Sequence, residues 1–507
     1  MSLTGKAISI LFAVYFFVGI SIYKDYGISF DEHISRNYGV VTFNYITGQS
    51  DELLTYQDRR QGIGVELPLY IGEKLLNITD IQAVFYYRHL AIFLLFFAST
   101  IVFYRVLLSQ YSPALAALGS AILILHPRIF SNSFYNSKDI GLLSVYIFAV
   151  WGILFMLRKR TYKSTLIAGV LTAWTITIRV FGFFLVPITL CLLFIEIISE
   201  RRSKTSHVNV KLLQITALYI ISVVVCTTAL WPYLWSDPLA RFIETVSEMS
   251  KFHWSGTVLY MGKQIPAQHI PWHYSIVWIA ITTPIAYTVA FCVGLAVSIQ
   301  RLITLKRISQ LDLIFILWFF LPLAATIILK STLLDSWRHT FFLYPALVGI
   351  AISGFYALFR YPAHSNRTIY RVGVLTLICF LSLRPMWFMV RSHPYQNVYF
   401  NRLVGSLADA KQQFDLDYWG LAFRSGLEYI AKNDDAEDIP VFFAYGTINN
   451  PNILPKEVRK RFRVVTNVQE AKYILSNYRW HPQSYSIADW YSVTVDGVKI
   501  LSVFKVY

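Results

Sequence analysis

Residues 29–39 read SFDEHISRNYG, and they follow the apolar run AISILFAVYFFVGISIY at residues 7–23. This run has nearly the ~20 residues that an α-helix needs to cross the hydrocarbon core of a membrane. It lacks a small-residue cleavage site, so we interpret it as a retained first transmembrane helix and not as a removed signal peptide. The chain therefore places two adjacent carboxylates, Asp31 and Glu32, just where it leaves a membrane.

Similar apolar runs continue through most of the chain. The 507 residues are 55% hydrophobic and only 15% charged, whereas soluble proteins have ~25% charged residues. We therefore predict a polytopic α-helical membrane protein with about 11 transmembrane helices. The runs lie near residues 6–24, 83–108, 113–126, 140–157, 165–180, 182–199, 212–231, 275–299, 311–329, 341–359 and 370–391.

The charges of the loops predict the orientation. Basic clusters such as residues 158–163 follow alternate runs, and the positive-inside rule places these loops and the N-terminus in the cytoplasm. Much of the net charge of +16 thus orients the protein, and no nucleic-acid partner is needed to explain it. The outer side receives loops 25–82, 127–139, 232–274 and 330–340 and the tail after about residue 392.

The tail, residues 392–507, differs from the rest of the chain in its pattern. The stretch YSVTVDGVKILSVFKVY alternates apolar and polar residues around an Asp-Gly turn, which is typical of β-strands, whereas VQEAKYILSN has a helical pattern. We predict a small α/β domain outside the membrane at residues 392–507, after a transmembrane module at residues 1–391.

Asp31 and Glu32 have two interpretations. A carboxylate at the membrane surface can act as a general base on a hydroxyl group within hydrogen-bond distance. From residue type alone, both side chains are more simply solvated loop carboxylates that cap a short helix. The content of the other outer loops favours the first interpretation.

These loops concentrate charged and amide side chains at one membrane depth. The stretch LHPRIFSNSFYNSKDIG at residues 125–141 is longer and more polar than a bare connection between two spans requires. Arginine and lysine can bind a phosphate there, or they can extend to the interface without a ligand. The candidates are Arg59, Arg60 and Glu66 in residues 56–70, Arg88 and His89 at the second run, Arg128, Lys138 and Asp139 in residues 125–141, and Asp335, Arg338 and His339 in STLLDSWRHTFFLYP at residues 331–345.

The long loop 232–274 supplies aromatic side chains. Trp254, Trp272 and His273 can stack on and hydrogen-bond to a sugar ring, although an interfacial belt of aromatic residues is the alternative. The histidines do not have HExxH spacing, and the four cysteines lie inside apolar runs without a CxxC pair. The sequence therefore predicts no metal site.

Ionisable groups thus lie mainly at one membrane surface, and the middles of the runs carry few charges. Transporters and channels place such groups near the midplane. Arg179 is the main charge inside a run, and a lipid-linked glycan flippase or other transporter stays as an alternative. The surface placement favours an enzyme that acts on a lipid-linked substrate with its head group at the outer leaflet.

Nearly the whole chain resembles the membrane-embedded glycosyltransferases of the GT-C superfamily, particularly the branch of protein O-mannosyltransferases and lipid A aminoarabinose transferases. The resemblance rests on GISFDEHISRNYG, YYRHLAIF, LHPRIFSNSFYNSKDI, DSWRHTFFLYP and HPYQNVYFNRLVGS. The chain lacks the large lumenal insertion of the protein mannosyltransferases, which argues against a protein acceptor. In size and layout it is also similar to the serotype-converting O-antigen glucosyltransferases of enteric bacteria and their phages.

The resemblance implies an inverting hexosyltransferase of the bacterial inner membrane, with its tail domain in the periplasm. It would move a sugar such as glucose from polyprenyl phosphate to a lipid-linked or lipopolysaccharide glycan. An O-antigen ligase or polymerase is the alternative enzyme, although these typically use Arg and His chemistry without a first-loop acid pair. A divalent metal, Mg or Mn, could assist the leaving phosphate, but no metal ligands are assigned.

The resemblance also implies roles for individual residues. Asp31 or Glu32 would be the catalytic base, and Asp139 matches the second acidic position of the family. The candidates for the donor phosphate are Arg88, Arg128, Lys138, Arg338 and His339. The candidates for binding the acceptor or the sugar are Arg59, Arg60, Glu66, Trp254, Trp272 and His273.

Overall fold

A computed structural model shows the fold of the chain. It describes residues 3–202, 210–250, 254–304, 308–360, 367–447 and 449–506.

The described residues up to 391 are mainly helical. In chain order the helices are α1 (Leu3–Ile22), α2 (Glu32–Ile46), α3 (Glu66–Leu75), α4 (Ile81–Leu107), α5 (Pro113–Ile124), α6 (Pro127–Tyr135), α7 (Ser137–Lys159), α8 (Tyr162–Ile176), α9 (Leu185–Arg202), α10 (Val210–Leu230), α11 (Pro238–Ser250), α12 (Tyr274–Thr282), α13 (Ile285–Thr304), α14 (Gln310–Ile328), α15 (Tyr344–Arg360) and α16 (Arg367–Arg391). Between α11 and α12 the strands β1 (Thr257–Tyr260) and β2 (Lys263–Pro266) form a hairpin. Turns of 3-10 helix at Val180–Phe184 and Arg338–Leu343 precede α9 and α15.

The predicted polytopic membrane protein is confirmed. Within the described residues, eight helices are long and apolar enough to cross a membrane, or nine if the bent pair α5 and α6 forms one span. The run at 113–126 gives only the 12-residue helix α5, after which the chain bends by 67° into α6. The run at 275–299 is divided between α12 and α13 at Thr283-Pro284, since proline cannot donate a helix hydrogen bond. The count of about 11 spans therefore stays a prediction.

The helices α7 and α15 lie at the centre of the bundle. In each of these two spans, 83% of the most apolar stretch is buried inside the protein. On α15, Gly354 meets Gly294 of α13 so closely that a Cβ at Gly294 would lie 1.9 Å from the carbonyl oxygen of Ile350. Small residues permit such close helix packing in a membrane. The central position of α7 and α15 brings the polar residues in the first turn of α7 and in the turn before α15 into the interior.

The tail forms the predicted small α/β domain. The helical prediction for VQEAKYILSN is wrong, because this stretch forms a 3-10 turn at Val468–Glu470 and a strand at Tyr473–Ser476 that pairs inside the sheet. The domain contains α17 (Leu407–Gln413), α18 (Phe423–Asn433), β3 (Ile439–Ala444), α19 (Lys456–Arg459), β4 (Phe462–Val464), β5 (Tyr473–Ser476), β6 (Tyr491–Val495) and β7 (Val498–Lys505). The sheet order is β4-β3-β5-β7-β6, in which β3 is parallel to β4 and β5, and β7 is antiparallel to β5 and β6. The predicted Asp-Gly turn joins β6 to β7, where Asp496 and Gly497 both adopt positive φ.

Candidate active site

A polar cavity of about 530 Å³ lies where the bundle meets the tail domain. Distant parts of the chain contribute to it, because the first turns of α2 and α7, the turn before α15 and two loops of the tail converge there. Its walls include Phe30, Asp31, Tyr56, Asp58, Gln61, Lys138, Arg179, Trp254, Asp335, Arg338, His339, Tyr445, Arg479 and Trp480.

Asp31 presents its carboxylate to this cavity. It occupies the N-cap position of α2, yet its side chain makes no capping bond to that helix. Its Oδ2 instead accepts a hydrogen bond from Nη1 of Arg338 at 2.6 Å. The side chain keeps 34% of its surface exposed. An accessible carboxylate of this kind can take a proton from a bound hydroxyl group.

Neighbouring cations keep Asp31 ionised. Burial by itself would raise the pKa of this carboxyl group, because it disfavours the charged form. The positive charges of Arg338 and Lys138 outweigh burial, so the pKa of Asp31 is lowered from its ordinary value. Asp31 is therefore a charged acceptor of protons at neutral pH.

Glu32 has a different environment, although it is the next residue. Its side chain is 3% exposed and lies outside the polar cavity. Oε2 accepts a hydrogen bond from the backbone N–H of Ser29 at 2.6 Å, and Oε1 lies 2.8 Å from Nε2 of His89. These contacts hold the start of α2 against α4. Of the two adjacent acids, the geometry favours Asp31 as the base.

Arg338 connects Asp31 to two further carboxylates. Its Nη2 lies 3.2 Å from Oδ2 of Asp335, and its Nη1 lies 3.8 Å from Oδ2 of Asp139. Asp139 in turn lies 2.6 Å from Nη2 of Arg179. Asp139 is 1% exposed and does not line the cavity. Asp139 therefore orients Arg338 and Arg179 from the side that faces away from the cavity, and it has no access to a hydroxyl group bound there.

Lys138 is fixed by the start of α7. The amide oxygen of Asn136 accepts the backbone N–H of Asp139 at 3.1 Å, and this cap begins the helix with Lys138 in its first turn. The Lys138 Nζ donates to Oε1 of Gln61 at 2.6 Å. Gln61 is within reach of Lys138 because the next residue, Gly62, packs closely against the backbone at Thr177. A Cβ atom added to Gly62 would lie only 2.3 Å from the carbonyl oxygen of Thr177. A larger residue at position 62 would push this loop away.

An apolar groove of about 500 Å³ joins the polar cavity. Gln61, Lys138 and Arg179 line both spaces, so two cationic side chains lie at the junction. The other walls are mainly apolar and come from the turn Val180–Phe184, from α11 and from the end of α14. The two spaces together fit a ligand with a long apolar tail and an anionic head group.

A hydrogen-bonded pair holds α11 beside this groove. Arg60 donates from Nε at 3.0 Å and from Nη2 at 2.6 Å to Oε1 of Glu244 on α11. Phe242, Ile243 and Val246 of the same helix line the groove. The hydrogen bonds from Arg60 lower the pKa of Glu244 to about 2. The structure thus places Arg60 at the groove, with an acidic partner, and not against the polar cavity.

The tail domain closes the cavity on another side. Nη2 of Arg479 lies 2.7 Å from Oδ1 of Asp335, and its Nη1 donates to the carbonyl oxygen of Tyr418 at 2.9 Å. Asp335 and Ser336 have φ of 56° and 70°, a left-handed conformation that is unfavourable for residues other than glycine. Backbone strain of this kind is concentrated at functional sites.

Two other predicted residues form an ion cluster outside both spaces. Arg88 is buried and pairs with Glu66, and its Nη1 lies 3.1 Å from Oε1 of Glu73. Arg36 pairs with the same Glu73 at 2.8 Å. This cluster joins α2, α3 and α4, so its contacts are those of a structural centre.

The remaining predicted residues also lie outside the two spaces. Arg128 donates to the carbonyl oxygen of Tyr399 at 2.9 Å, and its guanidinium lies 4.6 Å from the centre of the Phe400 ring. Arg59 donates to the carbonyl oxygen of Tyr56, His273 contacts the hydroxyl of Tyr260, and Trp272 is 67% exposed. From the predicted set, the structure brings together Asp31, Lys138, Trp254, Asp335, Arg338 and His339 in the polar cavity.

The carboxylates of the cavity do not fit a divalent metal. Within the described part of the chain, no group of three or more His, Cys, Asp or Glu side chains is arranged to hold an ion. Asp31 and Asp335 each contact Arg338, and Asp335 also contacts Arg479. A metal would have to displace these guanidinium groups.

Sequence analysis missed several residues of the cavity. Arg479, Trp480 and Tyr445 belong to the tail, for which the sequence predicts a domain but no site residues. In the sequence, Arg179 is only a charge inside an apolar run, whereas in the structure it lies just before the turn Val180–Phe184, after the end of α8. An isolated arginine at a break between two runs was the available signal.

Comparison with known proteins identifies the fold. No family model matches the sequence, and no curated protein matches it. ArnT from Cupriavidus metallidurans in the apo state aligns over 98% of both chains with a TM-score of 0.51 and 12% identity. The same protein bound to undecaprenyl phosphate aligns over 99% of this chain and 98% of that chain, with the same score and identity.

An oligosaccharyltransferase from Archaeoglobus fulgidus in the apo form aligns with a TM-score of 0.48 and 11% identity, over 88% of this chain and 62% of that chain. This chain thus spans about three fifths of the length of that protein. The alignment with ArnT shows that the chain shares the fold of that protein over nearly its whole length, and it confirms the predicted resemblance at the level of the fold.

Proposed function

We propose that this protein is an inverting glycosyltransferase that moves a sugar from a polyprenyl-phosphate donor to a hydroxyl group of a glycan at the outer face of the membrane. The observation that carries this proposal is the shared cavity of Asp31, Lys138 and Arg179, which continues into an apolar groove. A polyprenyl-phosphate sugar has its parts in the same order, namely an apolar tail, a phosphate and a polar ring.

The groove would bind the polyprenyl tail, and the junction would bind the phosphate. Arg179 is paired with Asp139, whereas the Nζ of Lys138 donates to the neutral amide of Gln61. The positive charge of Lys138 is therefore well placed for an anionic oxygen. The solved complex of ArnT with undecaprenyl phosphate, a protein of the same fold, supports this class of ligand.

The reaction follows from these positions. The Asp31 carboxylate takes the proton of the acceptor hydroxyl as that oxygen forms a bond to the anomeric carbon. The bond between this carbon and the phosphate oxygen breaks, and polyprenyl phosphate leaves with the electron pair. Lys138 and Arg179 stabilise the negative charge that develops on the phosphate. A single displacement inverts the configuration at the anomeric carbon.

The finer assignments belong to the same proposal. Similarity in layout to O-antigen glucosyltransferases supports a hexose such as glucose and an O-antigen or lipopolysaccharide acceptor. The basic loops support a multi-pass protein of the bacterial inner membrane with a cytoplasmic N-terminus and a periplasmic tail domain. The change from spans to mixed α/β structure after α16 supports a division into modules at residues 1–391 and 392–507.

Transfer of a labelled sugar tests the proposal. Membranes that contain the wild type, Asp31→Asn or the control Asp438→Asn would be supplied with polyprenyl-phosphate [¹⁴C]glucose and lipid-linked glycan. Asp438 lies in the tail domain, pairs with Arg463 and is 61% exposed. We expect Asp31→Asn to lower the rate by a factor on the order of 10²–10⁴ while it still binds the donor.

The outcomes separate the alternatives. Equal rates for Asp31→Asn and the wild type would remove the proposed base. Movement of the intact donor across the membrane without transfer would indicate a flippase. Transfer with retention at the anomeric carbon would exclude the single displacement.

A further inference from the structure

We propose that Trp254, Tyr445 and Trp480 form an acceptor subsite that binds a neutral hexopyranose ring of the acceptor glycan. Trp254 belongs to the loop between α11 and β1, and the other two residues belong to the tail domain. This inference rests on the proposed transferase function and adds the position and the chemistry of its second substrate.

The three rings form one aromatic wall of the polar cavity. The centres of the Trp254 and Trp480 rings are 6.3 Å apart, and those of Tyr445 and Trp480 are 5.1 Å apart. Tyr445 keeps 46% of its surface exposed. Large rings that stay exposed inside a cavity offer flat apolar faces, and the C–H face of a pyranose ring can pack against them.

The backbone holds two of these rings at a conformational cost. Tyr445 and Trp480 have φ of 66° and 61°, in the left-handed region. The indole Nε1 of Trp480 donates to the carbonyl oxygen of Thr257 at 2.6 Å, which ties the tail domain to the hairpin β1–β2 and fixes the ring plane. A strained backbone with a fixed side chain indicates a preorganised binding surface more than ordinary packing.

The position of this wall matches an acceptor. Trp254, Tyr445 and Trp480 line the polar cavity but not the groove, whereas Lys138 and Arg179 line both. An inverting displacement requires the acceptor oxygen to approach the anomeric carbon from the side opposite the leaving phosphate. If the phosphate lies at the junction with the groove, the acceptor must come from the part of the cavity that faces the tail domain.

The local charges favour a neutral ring. The guanidinium of Arg479 lies 4.9 Å from the centre of the Trp480 ring and 5.9 Å from that of Trp254. The same guanidinium contacts the carboxylate of Asp335 at 2.7 Å, so its charge is already compensated. The wall therefore combines apolar faces with neutral hydroxyl and indole groups, which suit an uncharged hexose better than an acidic sugar.

Direct binding tests the subsite without any transfer. Purified full-length protein would be titrated with a panel of neutral oligosaccharides of glucose, galactose, mannose and rhamnose, with calorimetry as the readout. We expect at least one to bind, and Tyr445→Ala and Trp480→Ala each to weaken that binding about tenfold. Trp235→Ala is the matched control, because Trp235 is 47% exposed and lies outside both spaces.

Failure of binding across the panel would overturn the subsite, as would binding that both cavity variants leave unchanged. Melting temperatures of all variants would show that they are folded. These results do not depend on turnover, so they stand even if the transfer assay fails and the proposed function falls.

Kinetics then separates the acceptor from the sugar of the donor. An acceptor subsite predicts that Tyr445→Ala and Trp480→Ala raise KM for the acceptor about tenfold and leave KM for the donor within about twofold. An equal rise for the donor would mean that the wall binds the transferred sugar, and it would overturn the assignment while the transferase function stands.

Discussion

Arg338 holds Asp31 through a hydrogen bond of 2.6 Å from Nη1 to Oδ2, and the same guanidinium contacts Asp335 through Nη2 at 3.2 Å. One planar side chain therefore sets the orientation of the proposed base and connects it to the loop that Arg479 of the tail domain also contacts. This hydrogen bond keeps the Asp31 carboxylate ionised. The carboxylate must nevertheless stay basic enough to accept a proton from the acceptor hydroxyl.

Arg338→Lys is expected to impair the chemical step. A lysine has one nitrogen, so it cannot contact Asp31 and Asp335 together in the fork geometry of a guanidinium. We expect kcat to fall by a factor on the order of 10–100, with a smaller effect on KM for the donor. Initial rates of sugar transfer with purified protein would measure both parameters.

Arg463→Lys is the matched control for this change. Arg463 pairs with Asp438 through its own guanidinium, but both side chains are more than half exposed on the tail domain. Equal activity of Arg338→Lys and Arg463→Lys would show that the contact with Asp31 has no role in catalysis.

The acid limb of the pH profile should depend on Arg338. The pKa of Asp31 is lowered in the folded protein because neighbouring cations outweigh burial. The base is thus ionised at neutral pH, and kcat/KM should fall only below the ordinary aspartate pKa of ~3.9. Arg338→Gln removes the positive charge that opposes the effect of burial, so the pKa of Asp31 should rise. The acid limb should therefore move to higher pH.

The stability of the folded protein should also decrease at acid pH. A lowered pKa in the folded state means that the contribution of Asp31 to stability is present above its unfolded pKa and is lost as the pH falls through the folded value. Transfer rates and melting temperatures between about pH 2 and pH 8 would measure both effects, since the folded pKa of Asp31 lies below its ordinary value. An acid limb at the same pH in the wild type and in Arg338→Gln would contradict the role given to Arg338.

Glu32→Ala is expected to affect stability, in contrast to Asp31→Asn. Loss of this carboxylate leaves the buried N–H of Ser29 and the ring of His89 without the contacts at 2.6 and 2.8 Å. An unsatisfied buried polar group costs about 1–3 kcal/mol of folding free energy. We expect a lower melting temperature and a rate per folded molecule close to that of the wild type.

Fluorescence-detected size-exclusion chromatography would count the folded protein in each sample. A folded Glu32→Ala protein that has lost transfer as completely as Asp31→Asn would assign the base to Glu32 instead.

The sequence alone does not distinguish which of the two adjacent acids, Asp31 or Glu32, is the proposed base. The end of the first apolar run predicts that Asp31 and Glu32 leave the membrane together. Adjacent residues on a helix, however, differ in direction by about 100°, and tertiary packing decides which of them faces the cavity. Residue type gives no signal for this choice, since both are carboxylates.

The sequence does not show which arginines and lysines line the cavity and which are buried in structural contacts. Lys138 and Arg338 line the cavity, whereas Arg88 and Arg128, in equally polar stretches, are buried against carboxylates, carbonyl groups and aromatic rings. Arg479 is 144 residues from its partner Asp335, and no local period records such a contact. The spans and the tail domain could be predicted because hydrophobic runs and strand alternation are local patterns.

Glu244→Gln is expected to weaken binding of the donor through its tail. Glu244 holds α11 beside the groove through two hydrogen bonds from Arg60, and its Oε2 also accepts from the hydroxyl of Tyr233 at 2.8 Å. These bonds lower its pKa to about 2, so the pair stays charged at every pH at which transfer is measured. A neutral amide can accept fewer of these hydrogen bonds and carries no charge for Arg60. We expect KM for a long-chain polyprenyl donor to rise about three- to tenfold, with kcat unchanged.

Two comparisons make this prediction specific to the groove. A donor with a ten-carbon lipid would make few contacts with α11, so Glu244→Gln should change its KM by less than about twofold. Glu248→Gln is the matched control on the same helix, because Glu248 is 59% exposed and lies 4.0 Å from Arg60. If Glu244→Gln raised KM equally for short and long donors, the effect would lie at the head group, and the groove would not be the site of the lipid tail.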